Sequence, residues 1–199
     1  MDSRRRARRS PQRGFTLVEL LIVCAIIAVL AALGILGYQR YIHQAQSSEA
    51  KMVIGKIRAG EEQIRAETLS YVSCSTSLLD YYPNTTPNDS RWVWQRTSDT
   101  RYSGAYSTSG PPLAGWAALN VHPDAPVRYG YAVVAGVAPA SFPSPDPSFK
   151  SPPAWPTNLK PGTPWFVVAA RNKHVSSMSP SLAITTSYDA TIYSEGEGE

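Results

Sequence analysis

The sequence is poor in the residues that most often carry chemistry. It has two cysteines and three histidines among 199 residues, and no C-x-x-C motif. The histidines are His43, His122 and His174. None of them has a second residue at the spacing of a metal site or a catalytic site. Glycine-rich phosphate loops and G-x-S-x-G elbows are also absent from the sequence. We therefore expect a protein that is not an enzyme and uses no cofactor or metal.

Basic residues are concentrated at the N-terminal end. Six arginines against one aspartate give residues 1–14 a charge of +5, so the rest of the chain carries −1 of the total +4. The basic character therefore belongs to the first residues and not to the body. Net charge gives no support for nonspecific nucleic-acid binding by the body, and we expect no nucleic-acid partner.

A long apolar run follows the basic segment. From Phe15 to Leu36 the only charged residue is Glu19, and the run contains no proline. As a helix it would be roughly 33 Å long, which is enough to cross the hydrocarbon core of a bilayer. The basic segment predicts that the N-terminus stays in the cytoplasm and that the following part leaves it.

Three common N-terminal signals leave features of this run unexplained. A secretory signal has a shorter apolar region and a small-x-small cleavage site, but no two alanines here stand two apart. A lipoprotein signal would use Cys24, yet Ile22 and Val23 before it are bulky. A plain anchor does not account for Gly14 or for Glu19, since a carboxylate in lipid costs about 2.5 to 3.5 kcal/mol.

The stretch RGFTLVELLIV, residues 13–23, resembles the prepilin signal of type IV pilins and of the related pseudopilins of type II secretion. The resemblance covers residues 13–41. It implies that a prepilin peptidase cleaves between Gly14 and Phe15 and that Phe15 becomes N-methylated. It also implies that Glu19 sets the register between subunits in a filament. The implied partners are the peptidase, other pilin or pseudopilin subunits, an inner-membrane assembly platform and the lipid bilayer.

The chemistry of these positions is consistent with that resemblance. Gly14 has no side chain, so a protease can approach the backbone closely. Cleavage would leave a cationic amine on Phe15, one helical turn from Glu19. The start of a helix also favours an anion through its free N–H groups and its dipole. A pair between this amine and Glu19 is possible within one chain or between chains, and the resemblance implies the second.

One position departs from the pattern of major pilins. Many of them carry a proline where this chain has Leu36, and here Gly34 and Gly37 flank that position instead. Glycine weakens a helix by only about 1 kcal/mol. Many pseudopilins also lack the proline, so a pseudopilin that builds a short periplasmic piston stays open as an alternative.

The helix is predicted to continue to Leu69. Apolar residues recur at helical spacing without an intervening proline, and they are Ala50, Val53, Ile54, Ile57 and Ile64. The predicted organisation is a leader over residues 1–14, a transmembrane half of the helix over 15–37, an exposed half over 38–70 and a pilin-like head over 71–199.

The head is predicted to hold a small antiparallel sheet, which makes the fold class α+β. Short β-branched and aromatic segments indicate strands at 92–94, 127–134, 165–170, 183–188 and 191–193. Nine of the 17 prolines fall within residues 139–164 and predict an irregular surface excursion there. Cys24 and Cys74 should stay unpaired, since a helix would separate them by tens of Å. Many pilins staple a C-terminal loop by a disulfide, so this head is expected to hold that region by packing alone.

Two further segments suggest binding. The stretch RWVWQRTSDTR interleaves arginines with Trp92 and Trp94, a pattern that could stack a nucleic-acid strand or a glycan. We favour a strand with buried tryptophans and solvated arginines. The acidic tail from Glu195 to Glu199 lacks the ligand number and rigidity that calcium prefers, so we interpret it as a solvated end.

The sequence therefore predicts a structural, pilin-like subunit. It would be a single-pass protein of a bacterial inner membrane, with its leader in the cytoplasm and its head in the periplasm, that later enters a pilus or pseudopilus. A membrane-tethered binding module is the alternative from a different class.

Overall fold

The structure, a computed structural model, describes residues 14–88, 90–95, 99–104, 114–173 and 181–196. The predicted leader, apart from Gly14, lies outside these residues, as do Arg96, His174 and the last three residues of the acidic tail. Two compact units are present, Met1–Tyr41 and Ile42–Glu199. The fold class is α+β, as predicted, with an apolar N-terminal helix and a small antiparallel sheet.

Helix α1 spans Leu17–Thr68. It begins two residues after Phe15, the predicted start, and ends one residue before Leu69, the predicted end. Leu69 stops it by adopting a left-handed conformation with φ of 63°. In the second unit the predicted apolar stripe is confirmed, because Ala50, Val53 and Ile57 are all buried.

The sheet contains four antiparallel strands in the order β1-β2-β3-β4. The strands are β1 (Gly130–Val137), β2 (Pro164–Asn172), β3 (Ser181–Thr186) and β4 (Tyr193–Glu195). Val133 pairs with Val168, and Ala169 pairs with Ile184. Four of the five predicted strands are thus present. Strand β1 lies about three residues later than the predicted strand at 127–134.

Shorter elements complete the second unit. They are α2 (Thr100–Ser103) and a 3₁₀ helix at Trp116–Leu119. The strand predicted at residues 92–94 is reduced to one antiparallel bridge, between Trp92 and Val127. A second bridge joins Tyr82 to Tyr131 and ties the loop after α1 to the sheet.

The sheet is buried on both faces. One face packs with α1 through a core that includes Ile54, Tyr131 and Phe166. The opposite face has its own core around Trp165 and Ile184. Along β2 the side chains alternate between these two cores, as the two-residue period of a strand requires.

The proline-rich segment covers the second core. It has no helix or strand, as predicted, but Phe149 is buried and Phe142 lies 4.5 Å from Trp165 between ring centroids. The segment therefore covers the sheet, whereas the sequence had predicted a surface excursion. We call it the proline-rich cover. Its irregular path follows from proline, which cannot donate a ladder hydrogen bond.

Hydrogen bonds as well as packing hold this cover, which corrects the expectation of packing alone. Buried Asp146 accepts hydrogen bonds from Tyr81 Oη at 2.9 Å and from Arg171 Nη1 at 2.7 Å. Glu195 of β4 accepts the backbone N–H groups of Lys150 at 2.8 Å and Ser151 at 2.7 Å. Glu195 is thus part of the fold. This result corrects the interpretation from sequence, in which Glu195 belonged to a solvated end.

Neither cysteine forms a disulfide bond, as expected. Cys24 is exposed on α1, whereas Cys74 is buried. Burial raises the pKa of the Cys74 thiol well above its usual value, so this thiol stays protonated and unreactive.

Candidate functional site

The residues before α1 are open to approach. Gly14, Phe15 and Thr16 are exposed and have no regular secondary structure, and Phe15 is 85% exposed. A Cβ atom at Gly14 would meet nothing within 4 Å. The fold of this chain therefore does not itself require a glycine at position 14.

Thr16 and Glu19 form a capping box at the start of α1. The Glu19 Oε2 atom accepts the Thr16 backbone N–H at 3.0 Å and the Thr16 hydroxyl at 2.9 Å. In return, the Glu19 N–H donates to Thr16 Oγ1 at 3.2 Å. This reciprocal arrangement satisfies donors that a helix start leaves unpaired.

Thr16 is the residue of this site that the sequence reasoning missed. The signal was available, because Thr-x-x-Glu directly before an apolar run is the sequence pattern of a capping box. From the sequence, Glu19 was paired with the helix start and with the Phe15 amine, but not with Thr16. The structure gives it a local partner, so the carboxylate has a role in the single chain in addition to any role between chains.

The apolar part of α1 has no partner in its own unit. The segment Leu17–Ile35 is long and apolar enough to cross a membrane, and none of it is buried. Exposure of its large apolar side chains runs from 46% at Val23 to 78% at Leu17. So large an exposed apolar surface fits a segment that is surrounded by lipid or by other helices. The helix continues through Gly34 and Gly37.

In the described part of the tryptophan and arginine segment, residues 91–95 and 99–101, Trp94 is not available for stacking. Trp94 is buried and packs edge-to-face against Trp116, with ring centroids 5.4 Å apart. Arg101 pairs with Asp99 at 2.9 Å. Trp92 is half-buried. The structure thus places Trp94 of this segment in the core.

The residue types of metal and catalytic sites do not converge within the described ranges. No group of three or more histidine, cysteine, aspartate or glutamate side chains is placed there to hold a metal ion. His122 is exposed, and its Nδ1 lies 3.0 Å from the carbonyl oxygen of Asn120.

A buried carboxyl group was not foreseen. Glu61 lies on the packed face of α1, is fully buried and accepts the Val72 N–H at 3.1 Å through Oε2. Its Oε1 atom has no hydrogen-bond partner. Burial raises the pKa of Glu61 from 4.5 to about 8, against the opposing effect of the Val72 hydrogen bond.

Comparison with known proteins connects the start of α1 with a recognised motif. Residues 9–35 match the prokaryotic N-terminal methylation motif. This match contains Gly14, Phe15, the capping box and the exposed apolar segment. No solved structure matches the chain.

Several curated fimbrial proteins are similar to part of this chain. Fimbrial protein Q of Moraxella bovis is 46% identical over 55 residues, which are 28% of this chain and 33% of that protein. The type IV major fimbrial protein FimA of Dichelobacter nodosus is 48% identical over 54 residues, 27% of this chain and 35% of its own length. A fimbrial protein of Pseudomonas aeruginosa is 40% identical over 65 residues, 33% of this chain and 42% of its own.

The matched segment spans about one third of the length of the first two of these relatives. The motif, the fimbrial relatives and the α+β fold agree with one another. Through part of its sequence, this chain is similar to type IV fimbrial proteins, and its residues 9–35 carry the prokaryotic N-terminal methylation motif.

Proposed function

We propose that this chain is a structural subunit of a type IV pilus-like filament. In this proposal a prepilin peptidase cleaves after Gly14, Phe15 becomes the methylated N-terminus, and the apolar half of α1 passes from the bilayer into a bundle of helices. The leader stays in the cytoplasm and the head lies in the periplasm until assembly. An inner-membrane assembly platform and other pilin subunits are the partners.

The observation that carries this proposal is the exposed apolar segment with a single carboxylate near its start. Lipid solvates the apolar side chains of Leu17–Ile35 before assembly, and neighbouring helices replace lipid afterwards. Glu19 is compensated locally by Thr16 in the single chain. In the filament, the amine on Phe15 of a neighbouring subunit would provide a full opposite charge.

The energetic argument favours a pair between chains. A buried carboxylate without a cation is costly, and a buried amine without an anion is equally so. Bringing the two together removes both costs at one relative position of the helices. Glu19 would therefore favour one stagger between neighbours over others, because apolar packing alone has little directional preference.

The direct test is the mass of the N-terminal peptide of the mature chain. We expect a peptide that begins at Phe15 and is 14 Da heavier than the unmodified form, which is about one methyl group. The sample should come from sheared surface filaments. A mature chain that retains Met1, or that begins anywhere except Phe15, contradicts the proposal.

A pseudopilin is the second candidate. The observation that favours it is the continuous helix across Gly34 and Gly37, where many major pilins carry a proline. Both candidates predict the same cleavage. They differ in location, because a pilin is recovered in sheared surface fibres and a pseudopilin stays in the periplasm. A binding module built on Trp94 is disfavoured, since this ring is buried.

A further inference from the structure

A small uncharged cleft lies in the proline-rich cover. Its volume is about 200 Å³, and it is lined by residues 138–142, 156, 157 and 159. All of these residues are uncharged. The volume is below the roughly 300 to 1,000 Å³ of clefts that enclose a drug-sized ligand. The cleft therefore suits a single small ring at the end of a larger molecule.

A stack of aromatic rings adjoins the cleft. Phe142, which lines the cleft, stacks on Trp155 with 5.6 Å between ring centroids and 13° between ring planes. On its other neighbour, Trp165 of strand β2, the centroid distance is 4.5 Å, and Trp165 is buried. The Trp155 ring is therefore held, through Phe142, by a buried strand. A ring that is already held loses little conformational entropy when a ligand binds to it.

Trp155 differs from the tryptophans of the two cores. The indole N–H groups of Trp94, Trp116 and Trp165 are buried. Trp155 is partly exposed, and its indole N–H donates to no atom of the residues that the structure describes. It thus presents an apolar ring and an available donor at one place, next to the cleft.

Two hydroxyl groups line the cleft beside this ring stack. Ser141 and Thr157 are exposed, and within the described part of the chain their hydroxyl groups donate to no other atom. A hydroxyl group both donates and accepts hydrogen bonds. The cleft and Trp155 therefore combine uncharged donors and acceptors with an aromatic surface.

This combination favours a neutral sugar over other classes of ligand. A charged ligand would lose its water without gaining an opposite charge in the cleft. A purely apolar ligand would leave the hydroxyl groups without partners. A sugar ring has apolar C–H faces that can lie against an aromatic ring, and its hydroxyl groups donate and accept. A proline-rich peptide also stacks on tryptophan, but its proline residues have no N–H to donate to the hydroxyl oxygens.

We propose that Ser141, Trp155 and Thr157 bind one uncharged sugar residue of a glycan. Trp155 supplies the stacking surface and one donor, and the two hydroxyl groups bind hydroxyl groups of the sugar. This inference goes beyond the proposed function and does not depend on leader cleavage. In the filament of the proposed function, repeated copies of this site would bind a glycan-bearing surface more tightly than one copy does.

The test uses the uncleaved full chain in zwitterionic micelles, because the headgroups of maltoside detergents are themselves sugars. Methyl glycosides of galactose, glucose, mannose, fucose, N-acetylglucosamine and N-acetylgalactosamine are titrated, and NMR signals of the indole N–H groups report binding. Acetylated hexaproline is titrated in parallel. We expect a saturable shift of the Trp155 signal with at least one glycoside, while the signals of Trp94, Trp116 and Trp165 stay in place.

Matched variants separate this site from general adhesion to the cover. Ser141→Ala and Thr157→Val each remove one hydroxyl group and should weaken binding of that glycoside about three- to tenfold. Ser144→Ala removes a hydroxyl group from an exposed position of the same cover, outside the cleft, and should leave binding unchanged. Trp155→Leu should abolish measurable binding, as read from saturation transfer to the glycoside. The two hydroxyl variants keep the ring stack, so they test the site even if Trp155→Leu disturbs the cover.

Three outcomes would overturn the inference. One is the absence of a Trp155 shift with all six glycosides, and another is equal weakening by Ser144→Ala and Ser141→Ala. A Trp155 shift with hexaproline and none with a glycoside would assign the cleft to a peptide. None of these results alters the mass of the mature N-terminal peptide, so the proposed function is tested separately.

Discussion

A Cβ atom on Gly60 of α1 would lie 2.3 Å from the carbonyl oxygen of Leu119, the last residue of the 3₁₀ helix. The two backbones therefore touch with no space for a side chain. Leu119 itself is buried in the core that α1 shares with the sheet. Gly60 thus sets how closely the exposed-half helix can approach the rest of the second unit.

Gly60→Ala should destabilise the second unit by about 1 to 3 kcal/mol, because a backbone carbonyl cannot move aside as a flexible side chain can. Gly55→Ala is the matched control on the same helix, since a Cβ there meets nothing within 4 Å. It should be stabilising by about 0.5 to 1 kcal/mol through helix propensity. Urea unfolding of the full chain in micelles measures both, and changes of the same sign would contradict the packing argument.

Glu61 should make the stability of the second unit fall as pH rises. With a pKa of about 8 in the folded chain and 4.5 when unfolded, the folded state holds a proton between these values that the unfolded state has lost. Each pH unit in this window should therefore cost on the order of 1 kcal/mol of unfolding free energy, and the loss should level off below pH 4.5 and above pH 8.

Glu61→Gln should flatten this profile and raise stability at neutral pH, because glutamine stays uncharged and still accepts the Val72 N–H. Glu67→Gln, at an exposed position on the same helix, should keep the wild-type slope. Unfolding free energies measured from pH 5 to pH 8 check both variants. Identical profiles for wild type and Glu61→Gln would show that this carboxyl group is not responsible.

Glu19→Gln should prevent incorporation into filaments while leaving insertion and cleavage intact. The amide oxygen can still accept from Thr16, so the start of α1 is preserved, but the neighbouring amine loses its anion at a cost of about 3 to 5 kcal/mol. Filament yield by shearing and immunoblot measures the effect.

Thr16→Val separates capping from assembly. It removes the hydroxyl of the capping box and should cost only about 1 kcal/mol at the helix start. Filament yield should therefore fall far less than in Glu19→Gln. If Thr16→Val abolished filaments and Glu19→Gln did not, capping and not charge pairing would be the role of this site.

Glu195→Ala should loosen the proline-rich cover. Its two hydrogen bonds to the Lys150 and Ser151 backbones are charge-assisted, and their loss at about 1 to 2 kcal/mol corresponds to roughly 5 to 30 times more opening. Trypsin cleavage after Lys150 should accelerate by that factor. Glu67→Ala serves as the control, and an unchanged rate in Glu195→Ala would contradict the tether.

The helix and its functional end could be predicted from sequence because both depend on local pattern. The apolar period and the absence of proline gave the span of α1 to within two residues. Gly14, Phe15 and Glu19 lie within six consecutive residues, and their cleavage, methylation and assembly roles stay predictions. The Thr-x-x-Glu pattern would also have identified Thr16 as the partner of Glu19, but the prediction did not use it.

What could not be predicted depends on contacts between distant residues. Nothing local distinguishes Glu61, which is buried, from Glu62 beside it, which is exposed. The shift of β1 had the same origin, because the apolar residues of 127–134 fit several registers until β2 selects one. The pairing of Glu195 with Lys150 and of Asp146 with Arg171 likewise needs the folded sheet.

Strand β2 belongs to both cores at once, with Trp165 and Val167 on one side and Phe166 and Val168 on the other. If either core unfolds, the other loses the strand that supplies part of its side chains. Cooperativity between the helix side and the proline-rich side is therefore built into a single strand, and the two sides melt together.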